Sequence, residues 1–204
     1  MQTTICNPAM DALFSKWSPI INKHKTTPNT EIEIRFGRKS SKNFDTNVGK
    51  ASFEKVFNTL NSYNEWESKN HSKKTIYYFP GNKRLTVSDE NEEQVGEIKT
   101  RVFVDDHHID NAPLDVRLGI SKEIPFEYDG EEESNLQRER ERWQFVRKNL
   151  SIDLSIVKGT PEDKDCDDDI SYQIELEIID PSAVKSDVIL YNLLNKVFDL
   201  IKIF

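Results

Sequence analysis

The chain has 204 residues, of which 36% are hydrophobic, 31% charged and 10% aromatic, and it carries a net charge of −8. That length suits one domain with one core, and the aromatic content argues against disorder. The acidity argues against a broad nucleic-acid-coating surface while leaving room for a concealed basic site.

Met1 to Ala9 lack the basic start and apolar stretch of a signal peptide. No apolar run reaches the roughly 20 residues that a membrane-spanning helix needs. Cys6 and Cys166 are isolated in sequence, so neither a disulfide framework nor a zinc site is expected. A reducing intracellular compartment fits that usage.

Met10, Leu13, Phe14 and Trp17 recur at helical spacing and predict a short helix at about 9–18, ending before Pro19. Glu31-Ile32-Glu33-Ile34-Arg35-Phe36 alternates charged with apolar residues and predicts a strand at about 31–38. Phe53, Val56, Phe57 and Leu60 predict a helix at about 52–63, with Ser52 as its N-cap. Six further strands follow at about 73–80, 83–89, 95–104, 114–124, 137–148 and 151–158, with Pro80-Gly81-Asn82 as a tight turn.

The eighth strand, at about 171–179, carries Gln173-Ile174-Glu175-Leu176-Glu177-Ile178. Asp180-Pro181 reads as a helix start, and Val184, Val188, Tyr191, Leu194, Phe198 and Ile201 make an apolar stripe over about 181–203. Two acidic runs, Glu127 to Glu133 and Glu162 to Asp169, read as solvated loops, and the second lacks the spacing of an EF-hand. His107-His108 is placed in a loop with Asp105 and Asp106, and Trp66, Tyr77, Tyr78 and Trp143 are read as packing residues.

In a strand, alternate side chains share a face. Glu31 with Glu33, and Glu175 with Glu177, are therefore two carboxylate pairs that adjacent strands would gather into one cluster. Such a cluster repels itself unless solvated or bound to a cation, and hard cations such as Mg²⁺ or Mn²⁺ prefer oxygen donors. Between these strands, Arg84, Lys99, Arg101 and Arg117 lie opposite apolar residues, and Arg138, Arg140 and Arg142 share one face. Closing the sheet would put acids and bases inside a barrel and the apolar faces outside, against the helices. The fold expected is mainly β: an eight-stranded antiparallel barrel tunnel with a charged interior, flanked by about three helices, within a single domain 1–204.

The Glu31-x-Glu33 and Glu175-x-Glu177 pairs, with Arg84, Lys99, Arg117-x-x-x-Ser121-x-Glu123, Arg138-x-Arg140-x-Arg142 and Asp153 between them, resemble the triphosphate tunnel metalloenzymes. More narrowly, they resemble the RNA 5′-triphosphatases of fungal, protozoan and large-DNA-virus mRNA capping. The resemblance implies hydrolysis of the γ-phosphate of 5′-triphosphate RNA with Mg²⁺ or Mn²⁺, and of nucleoside triphosphates as well. It implies Glu31, Glu33, Glu175 and Glu177 as metal carboxylates. It implies Arg35, Arg84, Lys99, Arg117, Arg138, Arg140 and Arg142 as the triphosphate clamp. Glu123 resembles the position that orients or deprotonates the attacking water, with Lys99, Arg140 and Arg142 acting beside it.

Gln173 stands where several relatives have a first glutamate, which leaves the last strand's ligand between Glu175 and Glu177. Asp153 is expected to buttress an arginine. The resemblance further implies a guanylyltransferase domain beyond Phe204. The asparagine- and lysine-rich style points to a giant virus of the mimivirus kind, hence a virion or a viral factory in the host cytoplasm. Rival readings are an inorganic tripolyphosphatase, a thiamine triphosphatase or an adenylyl cyclase on the same scaffold, or a non-catalytic anion-binding module.

Overall fold

The computed structural model describes residues 7–41, 43–159 and 170–204. Both cysteines, Cys6 and Cys166, and the acidic run from Glu162 to Asp169 lie outside the described residues.

The first helix, α1 (Pro8–His24), starts on an Asn7 cap whose side chain accepts from the Met10 amide. It continues past Pro19 rather than stopping there. Pro19 and Ser15, whose carbonyl loses its helical partner, are both exposed, so water can replace the missing bond. Met10, Leu13, Trp17 and Ile21 keep one continuous buried stripe through the interruption.

The second helix, α2 (Lys50–Ser62), starts from Gly49 in the left-handed region (φ 81°), not from a Ser52 cap. Asp180 caps only a 3-10 turn, Pro181–Ala183. The third helix, α3 (Asp187–Ile201), starts later, on a Ser186 cap. Among the described residues, no helix is long and apolar enough to cross a membrane.

Among the described residues, nine strands form: β1 (Thr30–Lys39), β2 (Phe44–Asp45), β3 (Ser68–Phe79), β4 (Lys83–Ser88), β5 (Gln94–His107), β6 (Asp115–Phe126), β7 (Leu136–Arg147), β8 (Leu150–Lys158) and β9 (Ile170–Ile178). Their order is β2-β1-β6-β5-β4-β3-β7-β8-β9, and β1 also pairs with β9. Eight antiparallel strands thus close a barrel, as expected, and the unpredicted two-residue β2 hangs from the end of β1. β3 begins earlier than the sequence suggested, because Ser68 to Ser72 pair with β7.

β5 runs on through His107, so Asp105, Asp106 and His107 belong to a strand. A bulge between Arg101 and Phe103 reverses its parity. Glu97, Lys99 and Arg101 face the tunnel before it, Val104 and Asp106 after it, and Val102 is left 47% exposed.

The hydrophobic core lies outside the barrel. Ile32, Ile34 and Phe36 of β1, Val116, Leu118 and Ile120 of β6, and Ile174, Leu176 and Ile178 of β9 pack with the buried faces of the three helices. Trp17 is wholly buried, and its indole N–H donates to Asp105 at 2.7 Å. This outer packing holds the strands that carry the acids, and frees their other face for charge.

Candidate active site

The barrel encloses a cavity of ≈ 1220 Å³. Every predicted site residue lines it: Glu31, Glu33, Arg35, Arg84, Lys99, Arg117, Glu123, Arg138, Arg140, Arg142, Glu175 and Glu177. Strand register explains how distant residues meet. Glu33 pairs with Gly119 on one side and Glu177 on the other, while Arg35 pairs with Arg117 and Glu175. Glu123 lies opposite Lys99, and Arg142 opposite Ser155.

Most interior charges are already answered. Arg35 Nε stands 3.0 Å from both Glu33 and Glu175. Arg142 holds Asp153 at 2.7 Å and Glu175 at 3.5 Å, so Asp153 does buttress an arginine. Arg84 is shared between Glu97 at 2.6 Å and Glu123 at 3.1 Å. Lys99 contacts Glu31 and stands 3.0 Å from Glu123 and 3.8 Å from Glu33. Arg117 sits at the mouth, where its Nε donates to Asp106 at 2.6 Å and its guanidinium covers Phe44. Its charge is therefore neutralised by a residue that the sequence placed in a loop.

Among the predicted site residues, Arg140 and Glu177 are not answered in this way, and Glu31 is answered only by Lys99, which it shares with Glu33 and Glu123. Arg140 has no carboxylate within 4.0 Å among the described residues, and burial, then Arg142, push its guanidinium down to about 10. Glu31 is pushed up to about 8, by burial first and then by Glu33. Glu177 has no cation within 4.0 Å among the described residues, and burial, then Asp153, push it up to about 7.

Glu175 behaves in the opposite way. Burial works to raise it, but Arg35 and Arg142 outweigh that and hold it at about 2. The two candidate ligands on the last strand are thereby separated: Glu175 is tied to arginines, and Glu177 is left for something else.

The donor set fits a hard cation. Glu31, Glu33 and Glu177 offer oxygens from two paired strands, and Lys99 marks the place where positive charge is held between the β1 acids. Gly119 makes the space, since a Cβ there would stand 3.0 Å from Glu33 Oε1. Among the described residues, no three acidic, histidine or cysteine side chains are drawn together as a ready-made cage.

The sequence reading missed Lys74, Tyr78 and Ile76 as cavity-lining residues. On β3, Lys73, Thr75 and Tyr77 alternate with Lys74, Ile76 and Tyr78, two mixed faces with no apolar contrast. Pairing of Tyr78 with Arg84, and of Ile76 with Arg138, puts the second set inside, so Tyr78 is part of the tunnel wall rather than of the core.

The family model for the mRNA capping enzyme β chain, the mRNA triphosphatases, matches residues 18–204. The chain belongs to this family. It is accordingly an RNA 5′-triphosphatase, a hydrolase of mRNA capping. Among solved structures it is similar to the RNA triphosphatase Pct1 of S. pombe, with a TM-score of 0.78 and 15% identity over 98% of this chain and 93% of that one. It is similar to the triphosphatase of the Mimivirus capping enzyme, with a TM-score of 0.61 and 19% identity over 94% of this chain and 98% of that one. A chain of the S. pombe Mediator head module also shares the fold, with a TM-score of 0.50 and 10% identity over 85% of this chain and 96% of that one. Comparison with curated proteins gives no match by sequence.

Proposed function

We propose that the tunnel removes the γ-phosphate of 5′-triphosphate RNA with Mg²⁺ or Mn²⁺ held by Glu31, Glu33 and Glu177. One observation carries this reading: a half-buried arginine with no carboxylate within 4.0 Å among the described residues, Arg140, faces the same cavity as two acids pushed toward neutrality. An interior with a surplus cation on one wall and surplus carboxylates on another fits a phosphate chain with its metal. A non-catalytic anion site would need only the cationic wall.

A triphosphate resists attack by water because it is already anionic, and because charge builds on the leaving diphosphate. The residues present answer both difficulties. Arg140 and Arg142 lie two apart on β7, where planar guanidiniums can each grip phosphate oxygens. Arg84 and Lys99 are shared among carboxylates, so a phosphate can take part of their hydrogen bonding without stranding a charge. Glu123, fixed by Arg84 and Lys99, is an acceptor that can orient a water toward phosphorus. The cation, when bound, would supply positive charge to a γ-phosphate oxygen and polarise the phosphorus. Catalysis of this kind rests mostly on positioning and charge stabilisation.

Nucleoside triphosphates are expected as further substrates with Mn²⁺. A C-terminal guanylyltransferase domain and a virion or viral-factory location are proposed on the same grounds of family style; the full-length reading frame tests the first, and fractionation of virions and infected cells the second. The central test is phosphate release from γ-labelled triphosphate RNA, ATP and tripolyphosphate, with and without Mn²⁺. Metal-dependent release from RNA is expected. Release from tripolyphosphate alone would favour an inorganic tripolyphosphatase, and release from none a binding module.

A further inference from the structure

We propose that the first nucleotide of the RNA leaves the phosphate clamp toward the mouth where β1 ends, with its base stacked on Tyr78. This rests on the triphosphatase reading and adds a direction and a nucleoside subsite to it.

The direction follows from the order of charges along the strands. On β1, Glu31 and Glu33 precede Arg35. On β9, which is antiparallel to β1, Gln173 precedes Glu175 and Glu177. On β7 the order is Arg138, Arg140, Arg142, and β7 runs the same way as β9. Toward the end where β1 begins, the interior therefore carries Glu31, Glu177, Glu123 and Glu97, which outnumber Lys74 and an Arg142 already bound to Asp153 and Glu175. Toward the end where β1 finishes, it carries Arg35, Arg138, Gln173 and Tyr78. An RNA chain is anionic along its whole length. Leaving past the carboxylates would set phosphate against like charge, whereas the other mouth offers cations.

The subsite follows from what lies beside those cations. Tyr78 lines the cavity, and the Arg138 guanidinium lies over its ring at 5.7 Å to the centroid. Tyr78 pairs with Arg84 across β3 and β4 and both line the cavity, so the ring borders the phosphate clamp. Ile76 and Val157 add apolar surface on the adjoining strands. An aromatic face with an arginine beside it suits a base and its α-phosphate, and base–aromatic stacking tolerates any sequence. A triphosphatase that must act on every transcript needs that tolerance.

The experiment compares Tyr78→Leu with Tyr78→Phe on two substrates, triphosphate RNA and inorganic tripolyphosphate, which has no base. For Tyr78→Leu, kcat/KM on RNA should fall on the order of tenfold or more relative to tripolyphosphate, mainly through KM. Tyr78→Phe, which keeps the ring, should restore the ratio. An equal fall on both substrates, or an unchanged ratio, overturns the subsite.

A direct readout uses 5′-diphosphate RNA with 2-aminopurine as its first base. Wild type should quench its fluorescence and Tyr78→Leu should not. If the leucine variant does not fold, absence of quenching in the wild type overturns the proposal alone. A wild type that cleaves tripolyphosphate but not RNA overturns the parent reading instead, and ATP then replaces RNA in the same ratio.

Discussion

Replacing Glu177 with glutamine should stabilise the protein in chelator while removing its response to metal. The Glu177 carboxyl is pushed up to about 7 from an ordinary 4.5, by burial and then by Asp153. Between these values the folded chain binds a proton that the unfolded chain has released. Stability therefore falls as pH rises from about 4.5 to about 7, and the loss is complete above that window. At about 1.4 kcal/mol per pKa unit, the loss at pH 8 is at most about 3.5 kcal/mol. Solvent screening at a half-buried group reduces this to about 1–2 kcal/mol. For a chain of this size that is about 2–8 °C in Tm. The assay is scanning calorimetry in EDTA and in Mn²⁺, at pH 4.5 and pH 8. Glu177→Gln should match wild type at pH 4.5 and exceed it at pH 8 in EDTA. Mn²⁺ should raise the Tm of wild type and leave the variant unchanged. A variant less stable than wild type at pH 8 in EDTA would refute the reasoning, since Glu177 would then be satisfied by the protein itself.

Glu175→Gln should do the reverse of Glu177→Gln, because its carboxyl is held at about 2 by Arg35 and Arg142. That contribution is present above about 4.5 and is lost as pH falls toward 2. Its removal should cost about 2–3 kcal/mol in urea denaturation at pH 7, by leaving the half-buried Arg35 and Arg142 short of a partner. Arg140→Ala should lower kcat/KM on triphosphate RNA by on the order of 10²–10³. Its urea midpoint should not fall, because Arg140 holds no described carboxylate within 4.0 Å; a fall would assign it a structural role. Gly119→Val should crowd Glu33 and weaken Mn²⁺ binding at least tenfold by calorimetry, with an unchanged circular dichroism spectrum. Unchanged affinity would show that the space beside Glu33 is not needed.

The barrel was legible because its polar and apolar residues alternate so strictly. Val116, Leu118 and Ile120 against Arg117, Gly119 and Ser121 leave one way for β6 to face, and β1, β8 and β9 repeat the contrast. Where contrast fails, sequence reading fails. β3 has similar residues on both faces, which hid Tyr78 and Lys74, and a single bulge at Val102 changed which residues of β5 look inward. Helix ends were obscured for a related reason. A cap is a local preference, and Gly49 at φ 81°, with its amide donating to Asn47, overrode the plausible Ser52. Pro19 was overridden by the buried stripe that runs through it to Ile21.

The candidate site residues were legible as a set but not as individuals. From sequence, Glu175 and Glu177 are equivalent, as are Arg117, Arg140 and Arg142. The structure separates them by which charges the protein answers internally. Arg117 has Asp106, Arg142 has Asp153 and Glu175, and Arg35 has Glu33 and Glu175. A buried charge with a good partner contributes to the shape of the tunnel, and removing its partner is costly. A buried charge without one raises the energy of the empty site, and any ligand that supplies the missing sign lowers it. Glu177 and Arg140 have no such partner among the described residues, and Glu31 only shares Lys99 with Glu33 and Glu123; the two acids are pushed toward the neutral acid and Arg140 toward the neutral base. Two opposite deficits within one cavity cannot be relieved by a single simple ion. A cation bound to a polyanion relieves both, and a metal-bound triphosphate has that composition.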